Sequence, residues 1–133
     1  MTSQAILLAC HPDKQISLGH PPRPLPQRGL ARRDTSLLLR LRIGCCWTVA
    51  RRHRHSLVAS PACAYCGEPE NLEHLLVACP AYLQQRGRLL QDFRGLGLPS
   101  ARQDDILFPG RNALPALLSV VEYLDSSGLS ARI

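Results

Sequence analysis

The chain has 133 residues, 45% of them hydrophobic and 20% charged, which fits one small globular domain and excludes disorder throughout. Formal net charge is +6, and fifteen of the sixteen basic residues are arginine, a bias that suits bidentate phosphate contact and that GC-rich coding also produces. The first apolar run, Ala5 to Ala9, is short and has no basic segment before it, so neither a secretory signal nor a membrane span is expected. The expected setting is reducing and intracellular, in nucleus or cytoplasm, without membrane contact.

Residues 1–33 carry few structural signals. His20 to Gln27 is rich in proline, which cannot continue a helix and favours extended polyproline geometry, so this part reads as a flexible arm or the remnant of a preceding domain. Pro21 and Pro24 also make a P-x-x-P pair, the pattern of a short polyproline ligand. Residues 34–128 read as the folded part. Asp34, Thr35 and Ser36 offer helix N-caps, and Leu37, Leu38, Leu41 and Cys45 repeat at helical spacing while Arg40 and Arg42 project elsewhere. Gly44 weakens this helix near its end. Its apolar face is expected to pack on the helix of the metal segment described next, with Trp47 as its largest buried contribution. Cys45 and Cys46 read as small buried apolar residues, with redox activity or an extra metal ligand as the alternatives.

Charge is unevenly placed. From Arg23 to Arg54 there are nine arginines against one acid, Asp34, a formal +8, and the rest of the chain sums to −2. The densest run is Arg51, Arg52, His53, Arg54, His55. It is either a solvated face or, together with Arg40 and Arg42, a surface for the phosphates of RNA or DNA.

The next stretch, PACAYCGEPENLEHLLVACP from Pro61 to Pro80, contains Cys63, Cys66, His74 and Cys79 in the spacing C-x2-C-x7-H-x4-C. These are ligand types that tetrahedral zinc takes, and a two-residue gap lets Cys63 and Cys66 form a knuckle around one ion, with Gly67 supplying the positive φ such a turn needs. Glu68, Pro69 and Glu70 look like a helix start, placing His74 one turn into a helix that carries Leu72, Leu75 and Leu76. Residues five apart on an α-helix lie about 140° apart, so Cys79 reaches the same point only if the helix breaks, and Pro80 favours that break. Six cysteines also allow a disulfide framework if the chain is secreted, and ordinary buried cysteines are a further alternative. His53 and His55 are alternative ligands with poorer spacing.

Ala81 to Phe93 reads as a helix with Tyr82, Leu83, Arg86, Leu89, Leu90 and Phe93 on one face, ended by Gly95 and Gly97. Leu98 to Arg111 reads as a connecting loop anchored by Ile106, Leu107 and Phe108. Pro115 suits the first turn of a last helix whose Leu117, Val120, Val121 and Leu124 share a face, ended by Gly128. The fold class is therefore mainly α: a small helical domain with one core, stabilised by a structural Cys3His zinc, behind an extended proline-rich N-terminal arm.

The string CAYCGEPENLEHLLVACPAY, preceded by LLLRLRIGCCWTVARRHRH and followed by DDILFPG, resembles the zinc-binding segment that follows the reverse transcriptase, and often a ribonuclease H domain, in polyproteins of arthropod non-LTR retrotransposons. The resemblance spans about residues 34 to 125, and its specific part is the pairing of C-x2-C-G with E-H-L-L-x-x-C-P. It implies that Cys63, Cys66, His74 and Cys79 bind Zn2+ and that the segment is a nucleic-acid-binding accessory of the polymerase. The alternatives are a protein-interaction module docking on the reverse transcriptase or another element-encoded protein, or an inactive fragment. Where the family has a glutamate-threonine pair before the helix, this chain has Glu70 and Asn71, a change that touches capping and not coordination.

Catalysis is not expected. A catalytic zinc keeps one position open, and four protein ligands close this one. PACAYC is superficially similar to a hydrolytic deaminase signature, but Pro61 is not adjacent to Cys63 and no H-x-E precedes it. A nuclease or polymerase centre needs several carboxylates converging on magnesium, and the acids before the metal segment are Asp13 and Asp34.

Overall fold

The computed structural model describes residues 24–133. Cys10 and Pro21, and with them most of the expected arm, lie outside the described residues. Helix α1 runs Arg32–Arg42, two residues ahead of the expected caps, because Ala31 takes extended backbone and its carbonyl accepts directly from Thr35 N at 2.9 Å. Leu37, Leu38 and Leu41 are its buried stripe. Gly44, at φ 77°, closes the helix: Cys45 N donates to Arg40 O at 2.9 Å and Gly44 N to Leu41 O at 3.3 Å, a Schellman turn that only a residue at ease in the left-handed region allows. The turn delivers Cys45 and Cys46 into buried positions; Cys46 is a free thiol, as expected of a small apolar residue, whereas Cys45 is disulfide-bonded and departs from that expectation.

Trp47 departs from expectation. It is 40% exposed and adds little to the core. The chain reverses at Thr48, whose Oγ1 accepts from Arg51 N at 3.2 Å and caps a short helix, α2 (Val49–Arg54), that the periodicity does not announce. The indole lies over the Arg51 guanidinium, 4.9 Å from its centroid, outside the core.

Beyond the metal segment, a 3-10 turn (Pro80–Tyr82) leads into α3 (Leu83–Gly95), which starts two residues later than expected. Its buried stripe is Tyr82, Arg86, Leu89 and Phe93, at spacings of four, three and four. Leu83, expected on that face, is 67% exposed because it falls one position round the helix, about 100° away. Gly97 closes α3 as Gly44 closes α1, with Leu98 N donating to Phe93 O at 2.9 Å. The expected connecting loop contains a further short helix, α4 (Gln103–Leu107), opened by the Asp105 carboxylate accepting from Arg102 N at 3.1 Å. Its anchor is as expected: Ile106 and Leu107 are fully buried. Arg42 Nε donates to Leu107 O at 2.8 Å and its guanidinium covers the Phe108 ring, so α1 rests mainly on α4 and not on the metal segment.

Helix α5 (Ala113–Ser126) carries Pro115 in its first turn and buries Ala116, Leu117, Val120, Val121 and Leu124 against α3. The last helix, α6 (Leu129–Arg132), folds back on α5, and Ile133 is buried. At the other end Leu25 and Leu30 pack on the same cluster, so the packed region reaches past 34–128 on both sides. The fold is mainly helical around one core shared by all the expected helices. Among the described residues no helix is long and apolar enough to cross a membrane.

One buried carboxylate ties this assembly across its length. Glu70 is 1% exposed; its Oε1 accepts from Val49 N at 3.1 Å, at the start of α2, and from Arg132 Nη1 at 2.8 Å, at the end of α6. Removing the cation leaves the carboxylate buried beside a helix N-terminus alone, and a stranded buried charge is strongly destabilising. Arg132→Ala is expected to cost about 3 kcal/mol in urea denaturation, and Glu70→Gln, which keeps an acceptor and removes the charge, less.

Candidate metal centre

The metal segment begins as a tight hairpin. Ala62 and Pro69 form an isolated antiparallel bridge, Cys63 N donates to Glu68 O at 2.6 Å, and Glu70 N donates to Pro61 O at 2.9 Å. Gly67, at φ 81°, makes the return, as its position in the knuckle requires. Tyr65 N points at Cys63 Sγ at 3.5 Å, the amide-to-sulfur contact that favours a thiolate. Glu68, Pro69 and Glu70 therefore belong to the hairpin and not to a helix start. The helix begins at Leu72, where Asn71 Oδ1 accepts from His74 N at 2.8 Å, so the asparagine serves as the cap.

The helix then widens. His74–Ala78 is a π-turn, and Cys79 N donates to His74 O at 2.7 Å, five residues back. That hydrogen bond brings together the two residues an α-helix would hold about 140° apart. Cys79 itself is extended, at φ −67° and ψ 122°, as the residue before a proline prefers, and this turns its thiol inward. The expected break at Pro80 is thus prepared one turn earlier by the π-turn.

The result is one cluster. Cys63 Sγ, Cys66 Sγ, the His74 ring nitrogen and Cys79 Sγ all lie within 4.8 Å of one another. Cys63 Sγ is 3.8 Å from Cys79 Sγ, and Cys66 Sγ is 3.3 Å from His74 Nε2. A tetrahedral ion with sulfur at about 2.3 Å and nitrogen at about 2.0–2.1 Å sets edges of about 3.8 Å and about 3.6 Å, close to these separations. A disulfide needs about 2.05 Å between sulfurs. Cys63, Cys66 and Cys79 are free thiols, so the disulfide framework does not apply to them. Three of the four donors are buried and Cys66 is half-buried. The residues fit one metal ion, held through four protein donors.

Burial pushes the Cys79 thiol from 9.0 up to about 11, and its hydrogen bond to Cys63 and the neighbouring thiols add to the rise. Cys63, Cys66, His74 and Cys79 would hold a divalent ion with the three thiols deprotonated, which would offset that penalty and give the centre a net charge of −1. Arg86, 4% exposed on α3, stands beside it: Nε donates to Leu76 O at 3.2 Å and Nη2 to Cys79 O at 2.6 Å. Among the described residues Arg86 has no carboxylate partner, so a buried guanidinium faces a centre whose loaded charge would balance it. Tyr123 OH, on α5, donates to Leu75 O at 2.5 Å. The carbonyls left over by the end of the metal helix are therefore met by two buried side chains.

Arg86, Tyr123 and Glu70 are the residues that sequence reasoning did not assign to the centre's support. One signal existed: Arg86 is a charge inside an apolar stripe, and such a charge must have partners. The structure also sorts the arginines named for phosphate contact. Arg51 is buried, with Nη1 donating to Gly44 O at 3.0 Å and its plane under Trp47. Arg40 and Arg42 are half-buried and donate to Ile133 O and Leu107 O. Arg52 is half-buried and donates to Arg132 O at 3.3 Å, and Arg54 is exposed. His53 and His55 are exposed and lie outside the four-donor cluster.

Fold and site together define a small, mainly helical protein with a four-donor Cys3His site for one metal ion. Over 43 residues, 32% of its length, the chain is 42% identical to a retrovirus-related Pol polyprotein from a type-1 retrotransposable element, R1 4, of Nasonia vitripennis, which supports a retroelement origin. The match covers 11% of that polyprotein. No family model matches the chain, and no solved structure matches it.

Two outcomes follow from this geometry. Since each thiol must lose its proton to bind, metal affinity should rise at least tenfold between mildly acidic and mildly alkaline buffer in competition with a chromophoric chelator. Arg86→Leu should weaken metal affinity tenfold or more while Arg88→Leu, at an exposed position of the same helix, leaves it unchanged.

Proposed function

We propose that this chain is a non-catalytic zinc module of retroelement origin that holds RNA or DNA through arginine–phosphate contacts. The observation that carries the reading is the convergence of three thiols and an imidazole on one point at tetrahedral spacing. Soft sulfur donors with one histidine suit zinc above magnesium, calcium or manganese, and a closed tetrahedron suits a structural role over a hydrolytic one. Cys63, Cys66, His74 and Cys79 would hold the ion. Its chemistry there is to fix the knuckle against the π-turn, so its removal should unfold the segment.

The nucleic-acid part of the reading is supported by charge and by the similarity to a retrotransposon polyprotein. No acidic residue occurs between Asp34 and Glu68, while five arginines and two histidines do. Arg52 and Arg54 lie on α2, immediately before the knuckle, with Arg54 open to solvent. Such a surface adds non-specific affinity for phosphates and steers encounter, and no base-reading helix is needed for it. Arg51 belongs to the fold in this reading and not to the interface.

The test is the salt dependence of binding. With zinc-loaded protein and a labelled oligonucleotide, the logarithm of affinity should fall steeply with the logarithm of salt, and Arg52→Ala and Arg54→Ala should each lower that slope by about 1. Arg51→Ala should instead lower thermal stability with the slope retained. Binding of a polymerase fragment that is insensitive to salt, without nucleic-acid binding, would favour the protein-docking alternative and overturn this reading.

A further inference from the structure

Trp47 is the chain's one tryptophan, and the core leaves it 40% exposed. It lies between the turn that closes α1 and the first residue of α2. Its ring covers the Arg51 guanidinium, and Arg51 is itself buried, so the accessible part of the indole is turned away from that contact toward solvent. His55, exposed just past α2, meets the ring edge-on at 5.5 Å between centroids. Leu57 and Val58, 63% and 38% exposed, follow in the same turn, tied back by Leu57 N donating to Arg52 O at 2.8 Å. The sequence around this surface is basic: Arg52 and Arg54 lie on the adjoining helix α2, within the stretch that contains no acid.

We propose that Trp47 is a stacking platform for one unpaired base, so that the ligand of this surface is single-stranded nucleic acid and not duplex. The proposal rests on the nucleic-acid reading above and adds the strand class to it. An aromatic face anchored by a cation beneath, with further arginines on the adjoining helix, is what a stacked base with its phosphates on either side requires. In a duplex both faces of every internal base are covered by neighbours, and the ring would meet only backbone. In a single strand one face is open to the indole, while Arg52 and Arg54 take the adjacent phosphates. Stacking needs no hydrogen-bond readout, which agrees with a surface that has no base-reading helix.

Because Trp47 is the only tryptophan, its emission reports on the platform directly. Zinc-loaded full-length protein is titrated at low salt with short oligothymidylate, oligouridylate and a DNA duplex of equal length, following tryptophan emission and the anisotropy of labelled strands. The single strands should quench the emission at saturation and bind more tightly than the duplex. Trp47→Ala should weaken single-strand binding about 5- to 100-fold, leave duplex binding and zinc content unchanged, and be largely rescued by Trp47→Phe. Unchanged emission at saturating single strand, or equal single-strand affinity for Trp47→Ala, overturns the platform while phosphate binding stands. Binding of neither strand class overturns the platform together with the nucleic-acid reading. The emission measurement uses the natural protein, so it decides the matter even if Trp47→Ala folds poorly.

Discussion

The number of residues between His74 and Cys79 constrains the rest of the structure. An α-helix cannot present both to one ion, and a helix that stopped early would lose Leu75 and Leu76 from the core. The π-turn resolves the conflict. It keeps both leucines fully buried and closes a hydrogen bond across the interval that separates the ligands. The cost is a set of carbonyls directed into the interior, and α3 and α5 are placed so that Arg86 and Tyr123 meet them. Helix packing and metal geometry are thus one problem with one solution.

That solution goes with Arg86 and Glu70 inside a small domain, where Arg51 is buried as well. Arg86 sits by the sulfur cluster, and Glu70 sits between α2 and α6, each nearly inaccessible. Apolar residues of similar volume would often serve stability as well or better. What the charges add is uniqueness of arrangement: Glu70 fits only where a helix N-terminus and Arg132 converge, and Arg86 only where unpaired carbonyls and an anionic centre do. The clustered arginines are more diverse in use than their clustering suggests. Arg42 and Arg51 stack on aromatic rings and bind carbonyls, so part of the strong positive charge belongs to the fold.

Local signals were legible where a residue's own backbone chemistry decides the outcome. Gly44 and Gly97 end their helices, Gly67 turns the knuckle, Pro80 diverts Cys79, and the four donors assemble as their spacing implies. Helix starts were less legible. Glu68–Pro69–Glu70 has the composition of a first turn, but backbone pairing with residues 61–63 captures it first, and Asn71 takes the capping role. The short helices α2 and α4 leave too few residues for a periodic pattern, and each depends on a single cap. Trp47 was placed inside by its hydrophobicity alone. Its position is set by Thr48 and Arg51, which no pattern of apolar residues records. Arg86 was on the right face without a role, because its partners come from a turn whose shape is itself a tertiary feature.

The compactness of the metal segment also bears on the order of folding. All four donors fall within the 17 residues from Cys63 to Cys79, so the entropy of closing that loop is modest. Contacts such as Tyr123 to Leu75 or Arg132 to Glu70 span much longer stretches of chain. An ion captured by the short loop would fix hairpin and π-turn before the distant helices arrive, giving them a formed surface to dock on. The loop would then act as a nucleus whose timing is governed by the supply of metal, coupling the rate at which this chain matures to the metal that surrounds it.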